Sequence, residues 1–117
     1  HDGHRGKGSV PVSQAIDCYN LLARDGDGIS AETAAFVTEN EAVPPAERFR
    51  GADPFYGADH PVLLRRTSGN VQLTIFEGAH GGNAQAALDW LARQRRGKPA
   101  DWSLPREGDS SYADIAK

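Results

Sequence analysis

Between Val71 and Phe76 the chain alternates strictly, with Val71, Leu73 and Ile75 on one side and Gln72 and Thr74 on the other. That period predicts a β-strand with one buried face. The strand runs into Glu77-Gly78-Ala79-His80-Gly81-Gly82, a glycine-rich loop with one histidine. From about Asn83 the spacing becomes helical, with Ala84, Ala87, Leu88 and Leu91 on one stripe. Strand, tight loop with an imidazole, then helix is the part of the chain best suited to carry chemistry.

Upstream, Gly3, Gly6 and Gly8 predict a polar loop over residues 1–9. Val10-Pro11-Val12-Ser13 leads into a helix, capped by Ser9 or Ser13 and running to about Arg24, with Ala15, Ile16, Tyr19, Leu22 and Ala23 on one side. Asp25-Gly26-Asp27-Gly28 ends it. A second, weakly apolar helix starts at Ser30 as N-cap, holds Phe36 and Val37, and closes at Asn40. Pro44, Pro45, Pro54 and Pro61 make residues 41–61 an ordered surface excursion with one helical turn at Pro45. Val62 to Arg66 is a short extended segment, and Ser68-Gly69-Asn70 turns it into the alternating strand. The last helix ends by Gly97, with Arg93, Arg95, Arg96 and Lys98 near its negative end and Pro99 beyond. Residues 100–117 are polar apart from Trp102, Leu104, Tyr112 and Ile115, and are expected to be a loosely packed tail.

Composition narrows the classes. A net charge of −3 offers no basic footprint for nucleic acid or an anionic membrane surface. No apolar run approaches the roughly 20 residues of a membrane-spanning helix. The single cysteine, Cys18, excludes an internal disulfide framework; mid-helix, it is expected to be a small buried apolar residue. The chain has no methionine and opens on the polar loop His1-Asp2-Gly3-His4, so it is expected to be the C-terminal part of a larger domain. Such a piece exposes a sheet edge and the apolar sides of two helices.

Two segments carry a family resemblance. His1-Asp2-Gly3-His4, followed by Ser9-Val10-Pro11-Val12-Ser13 and a helix, resembles the loop after the penultimate strand of an α/β-hydrolase. Leu73-Thr74-Ile75-Phe76-Glu77-Gly78-Ala79-His80-Gly81-Gly82, with the helix after it, resembles that fold's last strand, histidine loop and closing helix. Together they cover about half of the chain and are similar to the prolyl-oligopeptidase-like serine peptidase and esterase group. The resemblance implies an α/β fold, with residues 1–117 the C-terminal portion of one α/β-hydrolase domain and residues 25–61 an inserted subdomain. It implies Asp2 and His80 as acid and base of a Ser-Asp-His triad, in the family's chain order. No Gly-x-Ser-x-Gly elbow is present, so the nucleophile is expected upstream, in a missing N-terminal half of the same domain. The implied partner is a small-molecule ester or peptide substrate; no cofactor is implied, nor nucleic acid or membrane.

Those residue types suit the reaction. A serine hydroxyl is a weak nucleophile until a base removes its proton, and imidazole titrates near working pH. A carboxylate on the other ring nitrogen fixes the tautomer and stabilises the imidazolium. Gly78, Gly81 and Gly82 permit a sharp turn around His80. Taken alone, His80 is equally a solvated loop histidine and Asp2 a turn-forming aspartate. Asp53, Asp59 and Glu77 also precede His80 and are alternative acids, Glu77 the poorest because it leaves the strand just before the turn. His1, Asp2 and His4 are alternatively ligands for zinc or copper in a small metal-binding domain. Asp25-Gly26-Asp27-Gly28 resembles part of a calcium loop but lacks a closing Glu at the required spacing. A non-catalytic, hydrolase-like binding module is the other alternative. Trp90 and Trp102 read as packing residues, and Arg65-Arg66 as a solvated strand end.

Overall fold

The computed structural model describes residues 10–78 and 81–104, which form three helices and one two-stranded sheet. Helix α1 spans Ser13–Leu22 and α2 spans Ala31–Asn40. A 3₁₀ turn at Pro45–Glu47 precedes strands β1, Val62–Ser68, and β2, Val71–Phe76. Helix α3, Ala84–Arg93, follows. Asp2 and His80 lie outside the described residues, as do His1, His4 and residues 105–117 of the expected tail.

The start of α1 differs from expectation. Val12 occupies the cap position with no side-chain bond, and Ser13 is the first helical residue. Backbone contacts serve instead: Gln14 N–H donates to Pro11 O at 3.1 Å and Ala15 N–H to Val12 O at 3.1 Å. The helix also stops two residues short of Arg24, because Ala23 turns extended and the Arg24 N–H donates to Ser68 Oγ at 2.8 Å. Ser68 Oγ in turn donates to Asp27 Oδ2 at 2.7 Å, and Tyr19 Oη donates to the Asp27 carbonyl at 3.0 Å. The Asn20 side chain grips Ile29 on both sides, accepting its N–H at 2.7 Å and donating to its carbonyl at 2.9 Å. This strap satisfies backbone groups of the turn that follows the helix. It also engages the Asp27 carboxylate, which therefore serves the fold.

Helix α2 follows the sequence reading. Ser30 Oγ accepts the Thr33 N–H at 3.1 Å and Glu32 sits in the first turn, where the dipole favours an acid. The helix ends at Asn40, and Glu41 takes a left-handed φ of 52° while donating its N–H to Val37 O.

Strands β1 and β2 pair antiparallel, with Ser68 opposite Val71, Arg66 opposite Leu73 and Leu64 opposite Ile75. Gly69 opens the turn at φ 55°, a conformation that a β-carbon resists, with the Arg24 guanidinium pressed against its open side. Partners across a hairpin share a face. Leu64, Val71, Leu73 and Ile75 therefore look toward α1 and α2, where Ile16, Tyr19, Ile29, Val37 and Leu64 make the buried core. Residues 25–61 supply Ile29 and Val37 to it. Arg65, Thr67, Gln72 and Thr74 look the other way.

On that second side stands α3, capped by Asn83, whose Oδ1 accepts the Ala86 N–H at 3.0 Å. It ends at Arg93, four residues before Gly97, and the Arg95 guanidinium covers the Ala92 and Gln94 carbonyls at 2.8 Å. Its stripe of Ala84, Ala87, Leu88 and Leu91 faces solvent, while Asp89 is buried and Trp90 half-buried. The inward face is decided by an ion pair and an aromatic stack. Asp89 pairs with Arg93 at 3.2 Å, and Trp90 stacks on Trp102 at 5.0 Å and 16°. Trp102 Nε1 donates to Gly69 O at 2.7 Å and the Ala100 N–H to Asn70 Oδ1 at 3.2 Å, so the start of the expected tail is tied to the hairpin turn. On α1, Leu21 and Leu22 are exposed as well. Cys18 is exposed, which corrects its expected burial; it lies on the outer side of α1, away from Ile16 and Tyr19.

Ser68→Ala removes the acceptor for Arg24 N–H and the donor to Asp27 together. It is expected to lower stability by about 1–3 kcal/mol, read from the urea unfolding midpoint. A midpoint equal to that of the parent chain contradicts the strap.

Candidate functional site

The connection between β2 and α3 carries His80, and its two described ends are both tied to residues 53–61. At the first end, Glu77 N–H donates to the Pro61 carbonyl at 2.9 Å. His60 Nδ1 lies 2.9 Å from the Glu77 carbonyl oxygen. That oxygen can only accept, so Nδ1 is the donor and carries a hydrogen. The contact follows from the hairpin: with Val62 opposite Phe76, Pro61 meets Glu77 and His60 comes to lie beside Glu77 and Gly78. A β-carbon on Gly78 would sit 3.5 Å from that same Nδ1, an ordinary contact distance. Beneath lie the rings of Tyr56 and Phe76, tilted at 59° with centroids 5.2 Å apart.

At the second end, Asn83 does two jobs. Its Oδ1 caps α3, and its Nδ2 donates to the Phe55 carbonyl at 2.6 Å. Phe55 N–H donates to Asp53 Oδ1 at 3.0 Å, and Asp53 Oδ2 pairs with Arg65 Nη2 at 2.9 Å. The far end of the connection is thus referred through Phe55 and Asp53 to β1.

Arg65 is the hub of this side, and it corrects the solvated strand end expected for Arg65-Arg66. Its side chain is only 12 % exposed and that of Asp53 6 %. Arg65 Nε donates to Thr74 Oγ1 at 3.0 Å, and the guanidinium stands 5.0 Å from the Phe49 ring centroid and 5.8 Å from that of Tyr56. A planar guanidinium suits this combination of directed bonds and ring contacts. Arg66 pairs with Glu47. Burial raises the phenol of Tyr56 above its ordinary pKa; the Arg65 guanidinium opposes the shift and the Asp53 carboxylate adds to it.

Between the hairpin and α3 lies a cavity of about 490 Å³, lined by Tyr56, Arg65, Asn83, Asp89, Trp90 and Trp102 among others. The size is that of a small-molecule pocket. Its charges are paired within the protein, Arg65 with Asp53 and Arg93 with Asp89. Trp90 and Trp102 pack on one another, in keeping with the sequence reading.

Of the alternative acids, Asp53 is committed to Arg65 and the Phe55 N–H, while Asp59 and Glu77 are exposed. Among the described residues no group of three or more His, Cys, Asp and Glu side chains is placed to hold a metal ion. Among the same residues no helix is long and apolar enough to cross a membrane. His60 is the residue that sequence reading missed. Its signal was available in the hairpin, because antiparallel pairing of the segments around Ser68-Gly69-Asn70 sets Asp59-His60-Pro61 beside the end of β2.

No family model matches the chain, no curated protein matches it, and no solved structure matches it.

Arg65→Leu leaves the Asp53 carboxylate buried and unpaired, with an expected loss of about 3–5 kcal/mol. Adding Asp53→Asn removes the stranded charge but keeps an acceptor for Phe55 N–H, so the double variant is expected to recover part of the loss in denaturant unfolding. A double variant no more stable than Arg65→Leu alone contradicts the pair.

Proposed function

We propose that this chain is the C-terminal part of a serine hydrolase that cleaves an ester or peptide bond through an acyl-enzyme. His80 is the general base, Asp2 its carboxylate partner, and the nucleophilic serine belongs to a preceding part of the same domain. The observation that carries the reading is the local order around His80. A strand ends at Phe76, a glycine-rich connection follows, and a helix capped by Asn83 begins at Ala84. The likeness of the Asp2 and His80 segments to the prolyl-oligopeptidase-like group supplies the roles. Further support comes from α3, whose Leu88 and Leu91 are 42 % and 58 % exposed on an apolar stripe suited to covering a wider sheet.

The chemistry needs no cofactor. As the serine oxygen bonds to the substrate carbonyl carbon, His80 takes the hydroxyl proton, and Asp2 stabilises the imidazolium. The proton passes to the departing alcohol or amine as its bond to carbon breaks, leaving the acyl-serine. Water then repeats the sequence, with His80 as its base, and releases the acid.

In the complete protein, His80→Ala is expected to abolish labelling of the serine by a fluorophosphonate probe, while these 117 residues alone turn over no chromogenic short-chain ester. Full labelling of the His80→Ala variant removes His80 as the base, and turnover by the isolated chain removes the upstream serine.

A further inference from the structure

We propose that His60 is a positioning residue, which with Asn83 braces the β2–α3 connection from both ends against residues 53–61. The inference rests on the reading of His80 as the base, but its geometry lies wholly in residues on either side of that histidine.

The need for a brace is physical. Gly78, Gly81 and Gly82 have no side chains to restrict the backbone, and glycine loses the most conformational freedom on ordering. A general base must nevertheless sit within about 2.6–3.2 Å of the atom it deprotonates. A displacement of about 1 Å can lower a rate roughly 100-fold. A glycine-rich connection does little to fix that placement by itself, so contacts from outside it are called for.

Residues 53–61 supply it at two points. Glu77 is held through both of its backbone groups, its N–H by the Pro61 carbonyl and its carbonyl by His60 Nδ1, each at 2.9 Å. Asn83 is held through its amide, with Nδ2 on the Phe55 carbonyl at 2.6 Å. Neither anchor floats. His60 N–H donates to Gly57 O at 3.1 Å, and Phe55 is fixed through Asp53 to Arg65 of β1. The segment read in the sequence as a surface excursion is therefore a splint between β1 and the connection. His60 is itself exposed, so nothing in the core requires an imidazole there.

The variants separate this role from a general loss of fold. His60→Ala removes the donor to Glu77 O, whereas His60→Asn returns an N–H donor close to the position of Nδ1. Asn83→Asp keeps the helix cap, since a carboxylate also accepts the Ala86 N–H, but loses the donation to Phe55 O. In this chain, amide hydrogen exchange at residues 77, 78 and 81–83 is expected to quicken about tenfold in His60→Ala and Asn83→Asp, and to return toward the parent rate in His60→Asn. The urea midpoint of His60→Ala stays near that of the parent. In the complete enzyme, the same two variants lower kcat about 10- to 100-fold with KM little changed, and His60→Asn restores it. Parent-like exchange and kcat in His60→Ala, alongside a dead His80→Ala, overturn the brace while the base reading stands. Full turnover by His80→Ala overturns the base reading and the positioning role with it.

Discussion

The register of one hairpin decides which side chains face which half of the molecule. With Leu64 opposite Ile75 and Ser68 opposite Val71, one face of the pair carries Leu64, Val71, Leu73 and Ile75 with Arg66 and Ser68 among them, and the other carries Arg65, Thr67, Gln72 and Thr74. A slip of one residue exchanges the two faces, turning Arg65 toward the core and Leu64 toward Asp53. The first face meets Ile16, Tyr19, Ile29 and Val37, a small core among the described residues. Polar straps therefore carry more of the specification than they do in a larger domain. Ser68, at the end of β1, is buried and links the hairpin to the turn after α1; Arg65 links it to residues 49–56.

That division also explains α3. Its apolar stripe suggests a helix turned inward on Leu88 and Leu91, yet the side facing the protein carries Asp89, Trp90 and Arg93. The hairpin presents Arg65, Gln72 and Thr74 to α3, and the Trp90–Trp102 stack fastens α3 to the hairpin turn through Gly69. Both the exposed leucines of α3 and those of α1 lie away from the core face of the hairpin.

Much of the secondary structure was legible because its signals are local. Ser30 and Asn83 cap their helices through their own side chains, Pro45 opens the 3₁₀ turn, and Val71 to Phe76 alternates with the strand period. Where the reading missed, a distant residue intervened. The helical pattern of α1 runs on to Arg24 because Ser68, which takes the Arg24 N–H, is remote in sequence. Arg65 resembled a strand-end charge because nothing near it in sequence discloses Asp53 and Phe49 as neighbours. Residue type alone favours the interior for Cys18, although its place on α1 is the side opposite Ile16. His60 required the pairing of two strands before its neighbour could be named. Asp2 and His80 rest on the resemblance, since neither lies among the described residues.

The hydrolase reading and the observed hairpin meet at the end of β2, where the antiparallel partner brings Asp59-His60-Pro61 alongside the connection that bears His80. Everything proposed for that connection depends on the direction and register of β1 against β2. Cross-strand nuclear Overhauser effects in this chain test it most directly. The account predicts contacts linking Leu64 with Ile75, Arg65 with Thr74 and Ser68 with Val71, continuing to the His60 ring against Gly78. Contacts shifted by one residue, such as Arg65 with Ile75, or a set that runs parallel along the two strands, would contradict it.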